Sequence, residues 1–151
     1  MSSPPKSNGD TDASARPREG GLQDAVLSRT EGDPTGACVK VGVRRDLRSG
    51  GILGGPFDTA RADWSNNQPD TATTSLRLYW VPLHAEKMPG VDVTAVHAKS
   101  GTTVKVFKDS AAEAAEWSYY DTNIRLPKAG TWRLNVSAGP DKGCFEVSLG
   151  A

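Results

Sequence analysis

The chain has 151 residues and a mass of 16.0 kDa, room for one domain rather than two. Its 18 Lys and Arg balance 18 Asp and Glu, so it lacks the surplus positive charge that a nucleic-acid binder or a polybasic membrane-surface protein needs. No apolar run approaches the roughly 18 residues of a membrane-spanning helix, and 16 Gly with 10 Pro favour short strands joined by turns over a helical bundle.

Residues 1–36 hold 5 Gly, 4 Pro and 5 Ser and no Phe, Trp, Tyr or Ile; all ten aromatic residues of the chain lie at or beyond Phe57. A stretch without large apolar side chains cannot offset its ordering entropy. The expectation is a flexible tether over 1–36, disordered to about residue 20, with Leu22, Ala25, Val26 and Leu27 able to form one amphipathic turn against the domain. The opening Met1-Ser2-Ser3-Pro4-Pro5-Lys6-Ser7 has no hydrophobic signal core. It is similar to the tether after the lipidated cysteine of a bacterial lipoprotein, or to the start of a mature secreted protein. That resemblance implies export, with a lipid anchor as one form of it; the competing expectation is a cytosolic protein with a loose start.

Residues 37–151 are expected to form one β-sandwich. Val39, Val41 and Val43 alternate with Lys40, Gly42 and Arg44, the first strand signal. The glycine-rich stretch Gly50–Gly55 then reads as a loop, because it has neither the Gly-Lys-Ser/Thr of a phosphate loop nor the spacing of a dinucleotide site. Leu76, Leu78 and Trp80 alternate with Arg77 and Tyr79. Weaker strand candidates follow at 91–98, 102–107 and 117–126, with Ser100-Gly101 turning the first two into a hairpin. Ser110 and Glu113 have capping-box spacing, which predicts one helical turn over 110–115. Trp132, Leu134 and Val136 alternate, as do Phe145, Val147 and Leu149, and the Gly139-Pro140-Asp141 turn joins these runs into a terminal hairpin. Period two over five or six residues is the mark of a half-buried strand. About seven strands result, with helix limited to a turn or two.

The stretch Leu126-Pro127-Lys128-Ala129-Gly130-Thr131-Trp132-Arg133-Leu134-Asn135-Val136, with its turn and final strand, resembles the closing hairpin of bacterial immunoglobulin-like and fibronectin-type modules. The likeness spans about 25 residues and implies an immunoglobulin-like antiparallel β-sandwich; it does not carry a function. No cysteine stands in the penultimate strand, so the inter-sheet disulfide of antibody domains is not implied. In such folds the first strand can run parallel to the last. Cys38 and Cys144, which each precede an apolar residue at +1, +3 and +5, would then meet on one side of the sheet. A Cys38–Cys144 disulfide implies an oxidising, extracytoplasmic compartment; two free thiols would imply a reducing one.

Candidate chemistry is sparse. His84, Met88 and His97 are near one another in sequence, and the His-x3-Met spacing suits copper, which makes them the candidate ligands of a metal carrier. No residue after Cys144 completes a cupredoxin pattern, and no Cys/His cluster has zinc spacing. There is no Gly-x-Ser-x-Gly elbow, and Asp58, Asp63 and Asp70 are too scattered for a calcium loop. Neither an enzyme nor a cofactor is expected. Trp64, Trp117, Tyr119 and Tyr120 are the candidate ligand platform, as exposed aromatics suit sugar stacking or a protein interface. If they fill the core instead, loops 45–75 and 82–90 remain for a ligand. The expected role is a non-enzymatic binding or accessory module of the bacterial cell envelope. Its partner would be an envelope protein or a glycan, with a metal carrier and a carbohydrate-binding module as alternatives.

Overall fold

A computed structural model describes residues 21–66, 75–84, 89–113 and 118–150. Residues 1–20, over which disorder was expected, lie outside this set. Two sheets face each other around an aromatic core, and the chain is mostly β. One sheet has the order β1-β3-β4-β5-β9-β8: Gly32–Asp33, Leu47–Ser49, Ile52–Gly55, Ser75–Pro82, Ser118–Arg125 and Ala112–Glu113. The other has the order β2-β11-β10-β6-β7: Val39–Lys40, Asp141–Leu149, Gly130–Ala138, Val91–His97 and Thr103–Lys108. They are called sheets A and B. Two helices complete the described residues, α1 over Gly21–Arg29 and α2 over Phe57–Asn66.

All seven strands expected from alternation are present, and both expected hairpins form: β10 with β11, and β6 with β7 around Gly101 at φ 76°. The inward residues of β10 are Trp132, Leu134 and Val136, and those of β11 are Phe145, Val147 and Leu149, all buried. The core centres on Trp80, Phe145 and Phe57, whose ring centroids lie 5.5 to 6.2 Å apart. Aromatic contacts of this kind add to the burial of apolar area itself.

Several expectations are corrected. The sheets are mixed rather than wholly antiparallel, because β1 pairs parallel with β3 and β2 pairs parallel with β11. The chain leaves sheet A after β1, passes through sheet B as β2 and returns as β3, so its edge pairings run in the same direction. The described residues hold eleven strands rather than seven. The first strand is cut to two residues: after Val41 donates its N–H to Glu146 O, Gly42 takes φ 60° and Val43 turns out to solvent at 87 % exposure.

The glycine-rich stretch is not a loop. Ile52–Gly55 is β4, buried throughout and paired with β3 and β5. Gly54 lies so close to the Trp80 ring that a Cβ there would sit 2.5 Å from it. The glycines make room for aromatic rings. The helical turn expected at 110–115 is absent from the described part of that segment, where Ala112–Glu113 pairs with β9. Helix appears instead at α2, led by a cis Gly55–Pro56 bond and with Asp58 in its first turn. Phe57, Ala60 and Trp64 lie on one helical face and are all buried.

Residues 21–36 belong to the folded unit, where a tether was expected. Leu27 of α1 is fully buried against Leu53 and Val81 on the outer face of sheet A, as the expected amphipathic turn requires. β1 then adds an edge strand, with Gly32 and Asp33 opposite Arg48 and Ser49.

The expected disulfide is present. Cys38 and Cys144 are bonded, with Cα atoms 4.4 Å apart, just before the parallel register Phe145↔Val39. The bond spans a separation of 106 residues. Replacing both cysteines by Ala is expected to lower unfolding stability by about 4 kcal/mol, as loop-closure entropy returns to the unfolded chain. Urea titration of the two proteins measures this, and equal midpoints would contradict it. Leu27→Ala is expected to cost about 2 kcal/mol in the same assay if α1 is docked as described.

Candidate functional site

The outer face of sheet A departs from the usual polar surface of a half-solvated sheet. Leu78 and Trp80 of β5 point into the sandwich, so Tyr79 and Val81 point out. Beside them stand Leu53 of β4 and Tyr119 of β9. The Tyr79 and Tyr119 rings meet edge to face, with centroids 6.3 Å apart at 75°. α1 covers one end of this apolar stripe through Leu27, and Val26 packs alongside.

Between the helix and the sheet a cleft of about 460 Å³ remains. Val26, Leu53, Val81, Tyr79 and Tyr119 form its apolar wall; Thr30, Arg45 and Asp46 form its polar end. The polar end is built. The Tyr79 hydroxyl donates to the Asp46 carboxylate, and the Arg45 guanidinium lies 3.7 Å from the same carboxylate. Phe57 N–H donates to Arg45 O at 2.8 Å, which ties this corner to the start of α2. Gly55 is required beneath it, since a Cβ there would lie 2.1 Å from Asp46 Oδ1 and 3.0 Å from the Tyr79 hydroxyl. Burial first, and then the Asp46 carboxylate, push the Tyr79 hydroxyl well above the ordinary tyrosine value. Tyr79 therefore stays protonated at neutral pH, a hydrogen-bond donor rather than a base.

Of the three aromatics singled out in the sequence that lie among the described residues, the structure brings only Tyr119 to this cleft. Trp64 is fully buried, its indole N–H donating to Leu126 O at 3.1 Å. Tyr120 is buried as well and accepts from Gly90 N–H at 2.9 Å; burial pushes its hydroxyl up. Neither can serve as a surface platform, because in each case the core needs the ring. Trp117 lies outside the described residues.

The two described residues of the expected copper set, His84 and His97, do not converge. His97 ends β6 beside Trp132, its Nε2 on Ala129 O at 2.8 Å and its Nδ1 accepting from Ser100 N–H at 3.1 Å, so both ring nitrogens are engaged. His84 follows β5 at the other end of the β10–β11 hairpin. There its backbone N–H and its Nδ1 each lie 2.8 Å from the buried Asp141 carboxylate. Trp132 and Ala138 mark these two ends and are roughly 20 Å apart along an extended strand. Met88 lies outside the described residues, and among those described no group of three His, Cys, Asp or Glu could hold a metal. His97 holds a corner and His84 ties the end of β5 to the terminal hairpin.

Sequence reasoning missed Tyr79, Leu53, Arg45 and Asp46 as site residues, although 45–75 was among the stretches left for a ligand. A signal was present: Tyr79 and Val81 occupy outward positions of a strand, and apolar side chains there imply a cover. Comparison with protein-family models, with curated proteins and with solved structures finds no match to this chain.

The folded protein holds the Tyr79 proton more tightly than the unfolded chain does. Its contribution is complete below the ordinary tyrosine value of about 10 and is lost as pH rises through the higher folded-state value. The melting temperature of the natural protein relative to Tyr79→Phe is thus expected to hold level from about pH 8 to about pH 10 and to fall from there to about pH 11. Thermal melts of both across that range measure it; parallel curves would show that Tyr79 is not coupled to folding.

Proposed function

We propose that this protein is a non-enzymatic binding module acting outside the cytoplasm, as a secreted or lipid-anchored component of the bacterial envelope. Its ligand site is the cleft between α1 and sheet A. The observation that carries the reading is the half-buried Tyr79 in a cleft of about 460 Å³, its ring against Tyr119 and its hydroxyl on Asp46. Small-ligand sites are commonly clefts of this size, apolar over most of their wall and with a few converging polar groups. The disulfide supports the compartment, since such bonds persist in oxidising surroundings. Its partner chemistry is a small molecule with a flat or ring-shaped apolar body and one polar edge. The body would lie on Leu53, Val81 and the two tyrosine rings, and the edge would meet Arg45, Asp46 and Thr30.

A binding role fits these groups better than catalysis. A general base needs a proton affinity near the working pH, whereas Tyr79 is moved away from it and Asp46 is occupied by Tyr79 and Arg45. The immunoglobulin-like reading of the sandwich, with binding residues carried on its outer surface, is part of the same proposal. The test is ligand-observed NMR with a panel of aromatic acids, nucleosides and amino sugars. At least one class is expected to bind, and Tyr119→Ala to weaken it roughly tenfold through lost ring contact. Binding by none of the panel, binding unaffected by Tyr119→Ala, or turnover of a bound compound would each overturn the proposal.

A further inference from the structure

Sheet B carries a second surface with different chemistry, independent of the cleft. The inward residues of β6, β7, β10 and β11 fix which side chains point out, and the strand register arranges these in rows. One row runs Lys142, Ser137, Asp92, Phe107; the next runs Cys144, Asn135, Thr94, Lys105. A third runs Lys40, Glu146, Arg133, Val96. Two depressions lie on this face, of about 460 and 300 Å³. Asn135 lines both, so the two depressions flank the middle of β10.

The walls of the two depressions carry hydrogen-bonding groups beside the apolar Val96, Ala98 and Val136. Asp92, Thr94, Asn135 and Ser137 line one, and Thr131, Arg133 and Glu146 line the other. Thr35 closes one side, held by two hydrogen bonds to Asp33 Oδ1 at 2.8 and 2.6 Å; these keep the Asp33 carboxyl below the ordinary aspartate value. At the far end of the first row stands Phe107, 58 % exposed. Its ring is seated against Gly90, where an added Cβ would lie 2.7 Å from two ring atoms. An aromatic ring on the edge strand β7, in a row across the sheet with Asp92 and Ser137 and beside the row of Thr94 and Asn135, matches a sugar, which offers an apolar ring face and a polar edge. Charge narrows the class. The three rows hold four cations, Lys40, Lys105, Arg133 and Lys142, against two carboxylates, and one of these, Glu146, is paired with Arg133 at 3.3 Å. The face is therefore complementary to negative charge.

We infer that the outer face of sheet B binds an extended acidic polysaccharide. The chain crosses the strands from β11 to β7, one ring rests on Phe107, hydroxyls meet Asn135, Ser137 and Thr94, and acidic groups meet Lys105 and Lys142. The full chain is tested against immobilised polygalacturonate, with dextran as a neutral glycan and polyglutamate as a polyanion without sugar rings. Polygalacturonate is expected to bind best, and more weakly as salt rises. Phe107→Ala and Asn135→Ala are each expected to reduce that affinity five- to tenfold. Both side chains are exposed, so thermal melts should show these variants folded; Tyr119→Ala, in the cleft on the other sheet, should leave polysaccharide binding unchanged. Equal binding to dextran would overturn the acidic class, and equal binding to polyglutamate would overturn the sugar. No binding, or binding indifferent to Phe107 and Asn135, would overturn the site.

Discussion

One corner of the molecule joins the two sheets, and the remaining architecture is arranged around it. Ser49, at the end of β3 in sheet A, is completely buried. Its hydroxyl donates to Ala37 O at 2.9 Å and accepts from Cys144 N–H at 2.9 Å. A single side chain of one sheet thus satisfies backbone groups on both sides of the disulfide in the other. Unpaired buried polar groups are costly, so this position tolerates little change. The surrounding backbone is packed as tightly. A Cβ on Gly51 would lie 2.4 Å from Asp141 Oδ1, and one on Gly143 would lie 2.5 Å from Ser49 O. Asp141 in turn accepts from His84, which brings the end of β5 to the same place.

From that corner the two outer faces diverge. Sheet A carries an apolar stripe, Tyr119, Val81 and Leu53, which α1 covers only in part, and the uncovered portion is the cleft. Sheet B presents hydroxyl, amide and charged groups, with Phe107 as its exposed aromatic. The division follows from strand periodicity. Each strand gives its inward set to the common core, and the outward set is then free to differ between the sheets. The aromatic-rich core supplies the rigidity both surfaces require, with α2 bringing Phe57 against Trp80 of one sheet and Phe145 of the other and placing Trp64 in the same core.

The positions where local pattern and observed structure part share a cause. Gly50–Gly55 has no period because its glycines are approached by Trp80, Asp141 and Lys142 from distant parts of the chain and by Phe57 and Asp46 from nearer ones. Trp64 sits among polar neighbours in the sequence, yet it follows Phe57 and Ala60 on one helical face and so turns inward. Tyr79 reads as an ordinary outward residue until α1 is placed over the neighbouring strand. His84 and His97 are 13 positions apart in sequence, but β6 carries the second away from the first, and their polar atoms are taken up by Asp141, Ala129 and Ser100.

The meeting of Cys38 with Cys144 is implied by the likeness to immunoglobulin-like modules, whose first strand can run beside the last; the sequence by itself determined the seven strands and the two hairpins. Those features rest on local regularities: a two-residue period with one face buried, and glycine where the chain reverses. Tertiary structure alone decided which aromatics fill the core, that a glycine-rich stretch becomes a strand, that α1 belongs to the fold, and that Tyr79 and Asp46 form a cleft. Each depends on contacts between residues far apart in the chain. Alternation along a strand shows that one face is buried, but it does not name the atoms across the interface, and those atoms set the size of a cleft and the partner of a carboxylate.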